Sequence, residues 1–163
     1  MGDLRRRLRG MVLLAVFGMT GLAVLLFAGP SSAEAQARLI TSPTSTQTQE
    51  AKAVQEVIAR QISAFLSDDA DTAFSFAADR IKAQFGTPQN FMAMVARGYA
   101  AIYRPKTFEF GEFTKRSDLY TQEVILVDEN DRRFLANYWL MRNEDGLYRI
   151  AGCIIRELKE QRL

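Results

Sequence analysis

The sequence predicts an α+β fold in which N-terminal helices cover one face of an antiparallel sheet formed by the C-terminal half. Apolar side chains recur at helical spacing through residues 51–102 and alternate as in strands through residues 108–155. Pro105 separates the two patterns, because proline cannot continue a helix and favours extended geometry in Arg104 before it. We therefore expect one domain over residues 51–163.

Three helices are predicted in the first half of this domain. The first should end near residues 67–68, and Asp69 is a suitable N-cap for the second, which Gly86 would end. Thr87 caps the third with Pro88 at its first position, and Pro105 prevents its continuation. The apolar stripe of the first helix consists of Ala51, Val54, Ile58, Ile62 and Phe65.

Four strands joined by short turns are predicted to follow as an antiparallel meander. Their ranges are 108–113, with a bulge at Gly111, then 120–127, 134–141 and 147–155. The third strand carries large apolar side chains on both faces, so both faces of the sheet need cover from helices, curvature or a partner chain. One of these faces has Phe134, Tyr138 and Leu140, and the other has Leu135, Trp139 and Met141.

Residues 1–37 have the pattern of an export segment. Arginines at positions 5, 6, 7 and 9 precede an uncharged apolar run over residues 11–28, and small residues surround Ala33, Ala35 and Ala37. The run is long for a signal peptide and close to the length that spans a bilayer, so a cleaved signal and a retained membrane anchor are both open. Either version predicts that the domain works in the periplasm or cell envelope, and only the uncleaved version keeps a membrane contact, through residues 11–28.

Residues 38–50 are rich in Ser, Thr and Gln and are predicted to be a flexible linker. The chain has 21 Lys and Arg against 19 Asp and Glu, but four of the arginines and two of the acids precede Arg38. Positive and negative side chains are therefore equal in number from Arg38 onward. That balance, without a long basic run, predicts no nucleic-acid partner.

Two absences from the sequence restrict its chemistry. The chain has no histidine, which excludes a histidine general base, a Ser-His or Cys-His nucleophile and a histidine-ligated metal. It has one cysteine, Cys153, which excludes an intramolecular disulfide and a thiolate-rich metal site. No catalytic residue, metal ligand or cofactor is predicted.

Short motifs along the chain resemble a bacterial family, the DUF4864 domain of unknown function, over most of residues 54–155. The family is grouped here with the NTF2-like, or SnoaL-like and cystatin-like, α+β cone folds. The resemblance implies a strongly curved sheet that wraps around the helices and leaves a conical pocket, often in a dimer, but it supplies no catalytic residues. The motifs are Ile62-Ser63-Ala64-Phe65 with Asp68-Asp69, Ala73-Phe74, Phe85-Gly86 with Phe91 and Met94-Val95, Tyr99, Tyr103-Arg104-Pro105, Asp145-Gly146 and Ile150-Ala151-Gly152-Cys153.

Four residues are candidates for ligand binding. Tyr99, Tyr103 and Arg104 lie close together at the end of the predicted third helix, where two phenols and a guanidinium could meet a polar or anionic group. The alternative is that Tyr99 packs in the core and Arg104 binds the C-terminal carbonyls of its own helix. Trp139 could either line a pocket or fill the core.

Two other features have a structural explanation that we prefer. Asp68, Asp69 and Asp71 could form an acidic or calcium-binding cluster, but no full ligand loop follows them, and helix capping accounts for them better. Cys153 lies among apolar strand residues, where burial as a small hydrophobic side chain is the expected role.

These observations support three hypotheses about function. The first is a noncatalytic envelope domain that binds a small apolar or amphipathic ligand in a pocket, or that forms a homodimer through its sheet. The second is a hydratase, isomerase or cyclase in which Glu123 or Asp71 acts as a buried general base and Tyr99 or Tyr103 polarises the substrate. The third is an accessory protein that docks an envelope partner through an exposed apolar patch.

Overall fold

A computed structural model describes residues 43–159 of the chain. The export segment predicted over residues 1–37 and the first part of the predicted linker lie outside the described residues, so they stay predictions. Within residues 43–159, no helix is both long enough and apolar enough to cross a bilayer.

The described residues contain five helices followed by four strands. The sequence predicts this order of helices before strands. The structure confirms an α+β fold with the helices packed on a curved antiparallel sheet. The helices are α1 (Pro43–Leu66), α2 (Ala70–Ser75), α3 (Asp79–Phe85), α4 (Pro88–Gly98) and α5 (Ala100–Tyr103). The strands are β1 (Thr107–Arg116), β2 (Leu119–Val127), β3 (Arg133–Arg142) and β4 (Tyr148–Glu157).

The start of α1 corrects the predicted linker, because residues 43–50 are helical rather than irregular. Proline is compatible with the first turn of a helix, where its missing N–H has no intrahelical partner. A contact distant in sequence then holds this end of the helix on the sheet: the carboxylate of Glu50 accepts a hydrogen bond from Lys115 Nζ at 2.7 Å and one from the Tyr120 hydroxyl at 3.3 Å. The local preference of residues 43–50 for a helix is weak, and these contacts with the sheet supplement it.

The predicted second helix is divided into α2 and α3 by a backbone contact with the sheet. Ala77 forms a parallel bridge with Ile150 of β4. The Ile150 N–H donates to the carbonyl of Phe76, and the Ala78 N–H donates to the carbonyl of Ile150, both at 2.9 Å. These bonds require extended backbone around Ala77, so the helix cannot continue through it.

The predicted helix caps are confirmed. Asp69 Oδ1 accepts from the Thr72 N–H at 3.0 Å, and Thr87 Oγ1 accepts from the Asn90 N–H at 3.2 Å. Gly86 ends α3 with φ of 71°, a left-handed conformation that glycine adopts without steric cost. Tyr99 divides the predicted third helix into α4 and α5, because its φ of −135° is not helical.

The four strands form one sheet in the order β1-β2-β3-β4. The bulge predicted near Gly111 is present, since the register of β1 against β2 shifts between Phe110 and Phe113. A second shift lies in the pairing of β3 with β4, next to Trp139.

The two faces of the sheet differ in their environment. On the inner face, which the helices cover, Val124, Ala136 and Leu140 are fully buried. On the outer face, Ile154 is 58% exposed and Met141 is 47% exposed. The hydrophobic core therefore lies between the helices and the inner face.

Candidate functional site

A cavity of about 470 Å³ lies between α1, α3, α4 and the inner face of β3 and β4. Most of its lining is aliphatic or aromatic, and none of the described residues that line it carries a charge. Its size falls within the roughly 300–1,000 Å³ of small-molecule sites. The cavity is therefore the first candidate for a functional site.

Phe91 anchors an aromatic wall of this cavity. Its ring centroid lies 6.1 Å from that of Phe65, 5.5 Å from that of Phe74 and 5.8 Å from that of Phe85. Aromatic rings at these separations attract each other, which stabilises this wall. Met94, which also lines the cavity, is the adaptable part of this lining because three bonds in its side chain can rotate.

Several polar groups of the lining have partners within the protein. Gln61 Nε2 donates to the carbonyl of Ala73 at 3.0 Å, and the hydroxyl of Tyr99 donates to the carbonyl of Cys153 at 3.3 Å. The Cys153 thiol lies 3.7 Å from the carbonyl of Ile154. Burial raises the pKa of this thiol to about 12, so it stays protonated near neutral pH and is not a nucleophile.

The hydroxyl of Tyr138 is the exception. The side chain is 1% exposed and lines the cavity, and no described protein group forms a hydrogen bond with its hydroxyl. A buried hydroxyl without a partner costs roughly 1–3 kcal/mol. The alternation of β3 shows that this residue faces inward, but nothing in the sequence distinguishes it from its neighbours as a candidate.

Of the four predicted binding residues, Tyr99 lines the cavity, while Tyr103 and Arg104 are engaged elsewhere. Both contact Asp68, just after α1: the Tyr103 hydroxyl donates to its carboxylate, and Arg104 Nη2 lies 2.7 Å from each of its oxygens. Arg104 Nη1 also donates to the carbonyl of Phe65. We call Asp68, Tyr103 and Arg104 the helix-end cluster, because it joins the ends of α1 and α5.

Trp139, the fourth predicted residue, lies on the outer face of the sheet and not in the cavity lining. It pairs with Thr121 of β2 and Gly152 of β4. A Cβ placed on Gly152 would lie 3.2 Å from Trp139 Cε3, so the absence of a side chain there lets the indole lie against β4. The neighbouring residue Tyr138 takes the cavity-facing position instead.

The carboxylates proposed for an enzyme do not reach the cavity. Glu123 is on the outer face of β2 opposite Asn137, and Asp71 is exposed in the first turn of α2. Asp69 caps α2, as the preferred structural explanation predicts. Among the described residues, no group of three or more His, Cys, Asp or Glu side chains is arranged to hold a metal ion.

The helix-end cluster predicts a pH-dependent contribution to stability. Hydrogen bonds from Tyr103 and Arg104 hold the pKa of Asp68 below its ordinary value of 3.8. The cluster should therefore stabilise the fold above about pH 4, and this contribution should disappear as the pH falls through the lowered pKa. We expect Asp68→Asn, which tolerates the positive φ at this position, to lower the midpoint of urea unfolding more at pH 7 than at pH 2.

Asp118→Asn, in the exposed turn between β1 and β2, is the matched control because it removes the same charge. An Asp68→Asn effect equal at both pH values, or equal to that of Asp118→Asn at pH 7, would contradict the role of the cluster.

Two of the buried tyrosines, Tyr138 and Tyr148, should respond in opposite ways to loss of the hydroxyl. Tyr138→Phe should leave the free energy of unfolding unchanged or raise it by up to about 1 kcal/mol, because it removes a buried polar group without a partner. Tyr148→Phe should lower it by about 1 kcal/mol, because Tyr148 accepts a hydrogen bond from Arg142 Nη2 at 2.6 Å. Urea denaturation of both variants measures the difference, and an equal loss would show that Tyr138 has a partner.

Comparison with known proteins identifies the family but not an activity. No curated protein matches the chain. A crystal structure of an NTF-2-like protein of unknown function from Silicibacter pomeroyi is similar at 16% identity and a TM-score of 0.49, covering 68% of this chain and 98% of that one. The model of the DUF4864 family, described as a domain of unknown function, matches residues 47–163. The chain therefore belongs to the DUF4864 family, as its motifs predicted.

Proposed function

We propose that this domain is a noncatalytic binding domain whose cavity holds a small apolar or amphipathic molecule. The observation that carries the proposal is the 470 Å³ cavity with an uncharged lining. Transfer of an apolar molecule from water into such a cavity is favourable. Because the described lining has no charged side chain, none loses its hydration when the molecule enters. If residues 1–37 act as predicted, this binding takes place in the periplasm or cell envelope.

The chemistry of the lining supports binding over catalysis. None of the described lining residues is a carboxylate, and the Cys153 thiol is held in its protonated form. Tyr99, one of the two phenols in the lining, already donates to a backbone carbonyl. The hydratase, isomerase or cyclase alternative would need a general base that this cavity does not provide.

Binding can be tested with N-phenyl-1-naphthylamine, an uncharged dye whose fluorescence rises in apolar surroundings. The wild-type domain should bind the dye, and Val95→Phe should weaken binding by at least about tenfold, because the added ring occupies the cavity. Val95 is 5% exposed on α4 and lines the cavity. Fluorescence titration of both proteins gives the two dissociation constants.

Ala93→Phe is the matched control, because it introduces the same side chain at an exposed position of the same helix. It should leave dye binding unchanged, and circular dichroism should show that both variants are folded. Failure of the wild type to bind the dye, or equal binding by folded Val95→Phe, would contradict the proposal.

The outer face of the sheet supports a second proposal, self-association of the domain. Ile154 and Met141 are exposed apolar residues on this face, and Trp139 lies on the same face. A second copy placed on this face would bury side chains that water now surrounds. An envelope partner docked on the same face is the alternative that the sequence left open.

Ile154→Arg tests this second proposal, because a guanidinium placed in an apolar interface loses hydration without gaining a partner. We expect it to weaken self-association by at least about tenfold in sedimentation equilibrium. Leu147→Arg, at a residue of similar exposure in the turn before β4, is the control. A wild-type domain that stays monomeric at high concentration would contradict self-association.

A further inference from the structure

We propose that the molecule held in the cavity carries an uncharged hydrogen-bond acceptor, such as a carbonyl, ether or hydroxyl oxygen, that pairs with the hydroxyl of Tyr138. This inference rests on the proposed function and specifies the chemistry of its ligand. The acceptor belongs to the part of the ligand that lies against β3, and the remainder of the ligand is apolar.

The position of Tyr138 carries the inference. The residue lies in the middle of β3, with Gln122 of β2 and Cys153 of β4 as its cross-strand partners on the same face. Gln122 Nε2 donates to the carbonyl of Glu123 at 2.9 Å, and Gln122 Oε1 accepts from Gln55 at 3.2 Å. The thiol of Cys153 faces the carbonyl of Ile154. Both neighbours are therefore committed to other partners, and Tyr138 is left without one.

The hydroxyl of Tyr138 is available as a donor at any physiological pH. Burial raises its pKa well above the ordinary value of 10, so the proton stays on the oxygen. Protein packing closes the hydroxyl to bulk solvent and to the cavity alike, since its oxygen has less than 1 Å² of accessible surface. A ligand seated against Tyr138 can supply the acceptor, with flexible lining side chains such as Met94 giving way around it.

The charges around the cavity indicate that the acceptor is neutral. No cation or anion is present among the described lining residues. Arg104 is paired with Asp68, and Lys115 and Arg142 lie near the carboxylate of Glu50, so these cations are not free to meet a ligand in the cavity. A buried carboxylate or ammonium group of the ligand would lack a counter-ion and would bind poorly.

Two probes of nearly equal shape test the inference, 2-acetylnaphthalene and 2-isopropenylnaphthalene. The first places a carbonyl oxygen where the second has a methylene group. Each probe is titrated against N-phenyl-1-naphthylamine on the wild type and on Tyr138→Phe. We expect the substitution to weaken 2-acetylnaphthalene binding by about fivefold, the equivalent of one neutral hydrogen bond, and to leave 2-isopropenylnaphthalene unchanged.

Tyr148→Phe is the control for loss of a buried hydroxyl outside the cavity lining, and it should change neither affinity. A third probe, 2-naphthoate, should bind the wild type more weakly than 2-acetylnaphthalene at pH 7, because its carboxylate has no counter-ion.

The outcomes separate this inference from the proposed function. If Tyr138→Phe changes the two neutral probes equally, or if 2-naphthoate binds the wild type most tightly, the inference is overturned while the cavity remains a binding site. If the wild type binds neither the dye nor any naphthalene probe, the proposed function itself is overturned.

Discussion

The backbone pairing between Ala77 and Ile150 is the constraint on which the rest of the structure depends. Two hydrogen bonds of 2.9 Å join the chain between α2 and α3 to β4, and they fix where the helical layer meets the sheet. Because the chain leaves helical geometry at this point, α3 follows a different course from α2. The cavity then lies between α3, α4 and β4. The same backbone contact thus interrupts a helix and forms one side of the candidate site.

Charged groups hold α1 in place at both of its ends. Near the N-terminal end, Glu50 contacts Lys115 and Tyr120 of the sheet, and just past the C-terminal end Asp68 contacts Tyr103 and Arg104. These contacts are partly exposed, so they position the helix more than they stabilise the fold. They also give Glu50, Asp68, Arg104 and Lys115 partners within the protein. What remains for binding is the uncharged lining of the cavity.

Local signals in the sequence predicted most of the elements. The caps at Asp69 and Thr87, the stop at Gly86 and the bulge near Gly111 depend on residues a few positions apart, and the structure confirms each one. The helical start over residues 43–50 and the break at Ala77 could not be predicted in this way. Both depend on partners that are distant in sequence, Lys115 for the first and Ile150 for the second.

The candidate site was harder to predict than the fold. Strand alternation places Tyr138 and Trp139 on opposite faces, but it does not say which face the helices cover, so it cannot decide which of the two lines a cavity. Tyr103 and Arg104 are adjacent polar residues, yet nothing local in the sequence shows that Asp68 is close enough to engage them. Tyr99 was predicted as a candidate and does line the cavity.

A native mass spectrum of the chain isolated from its own cells tests the central claim, that the cavity holds a small uncharged molecule. Our account predicts a complex heavier than the chain by one small molecule, which is released on unfolding and is extracted into organic solvent. A chain that carries no added mass under gentle conditions, or one whose added mass is an anion or a metal, would contradict it.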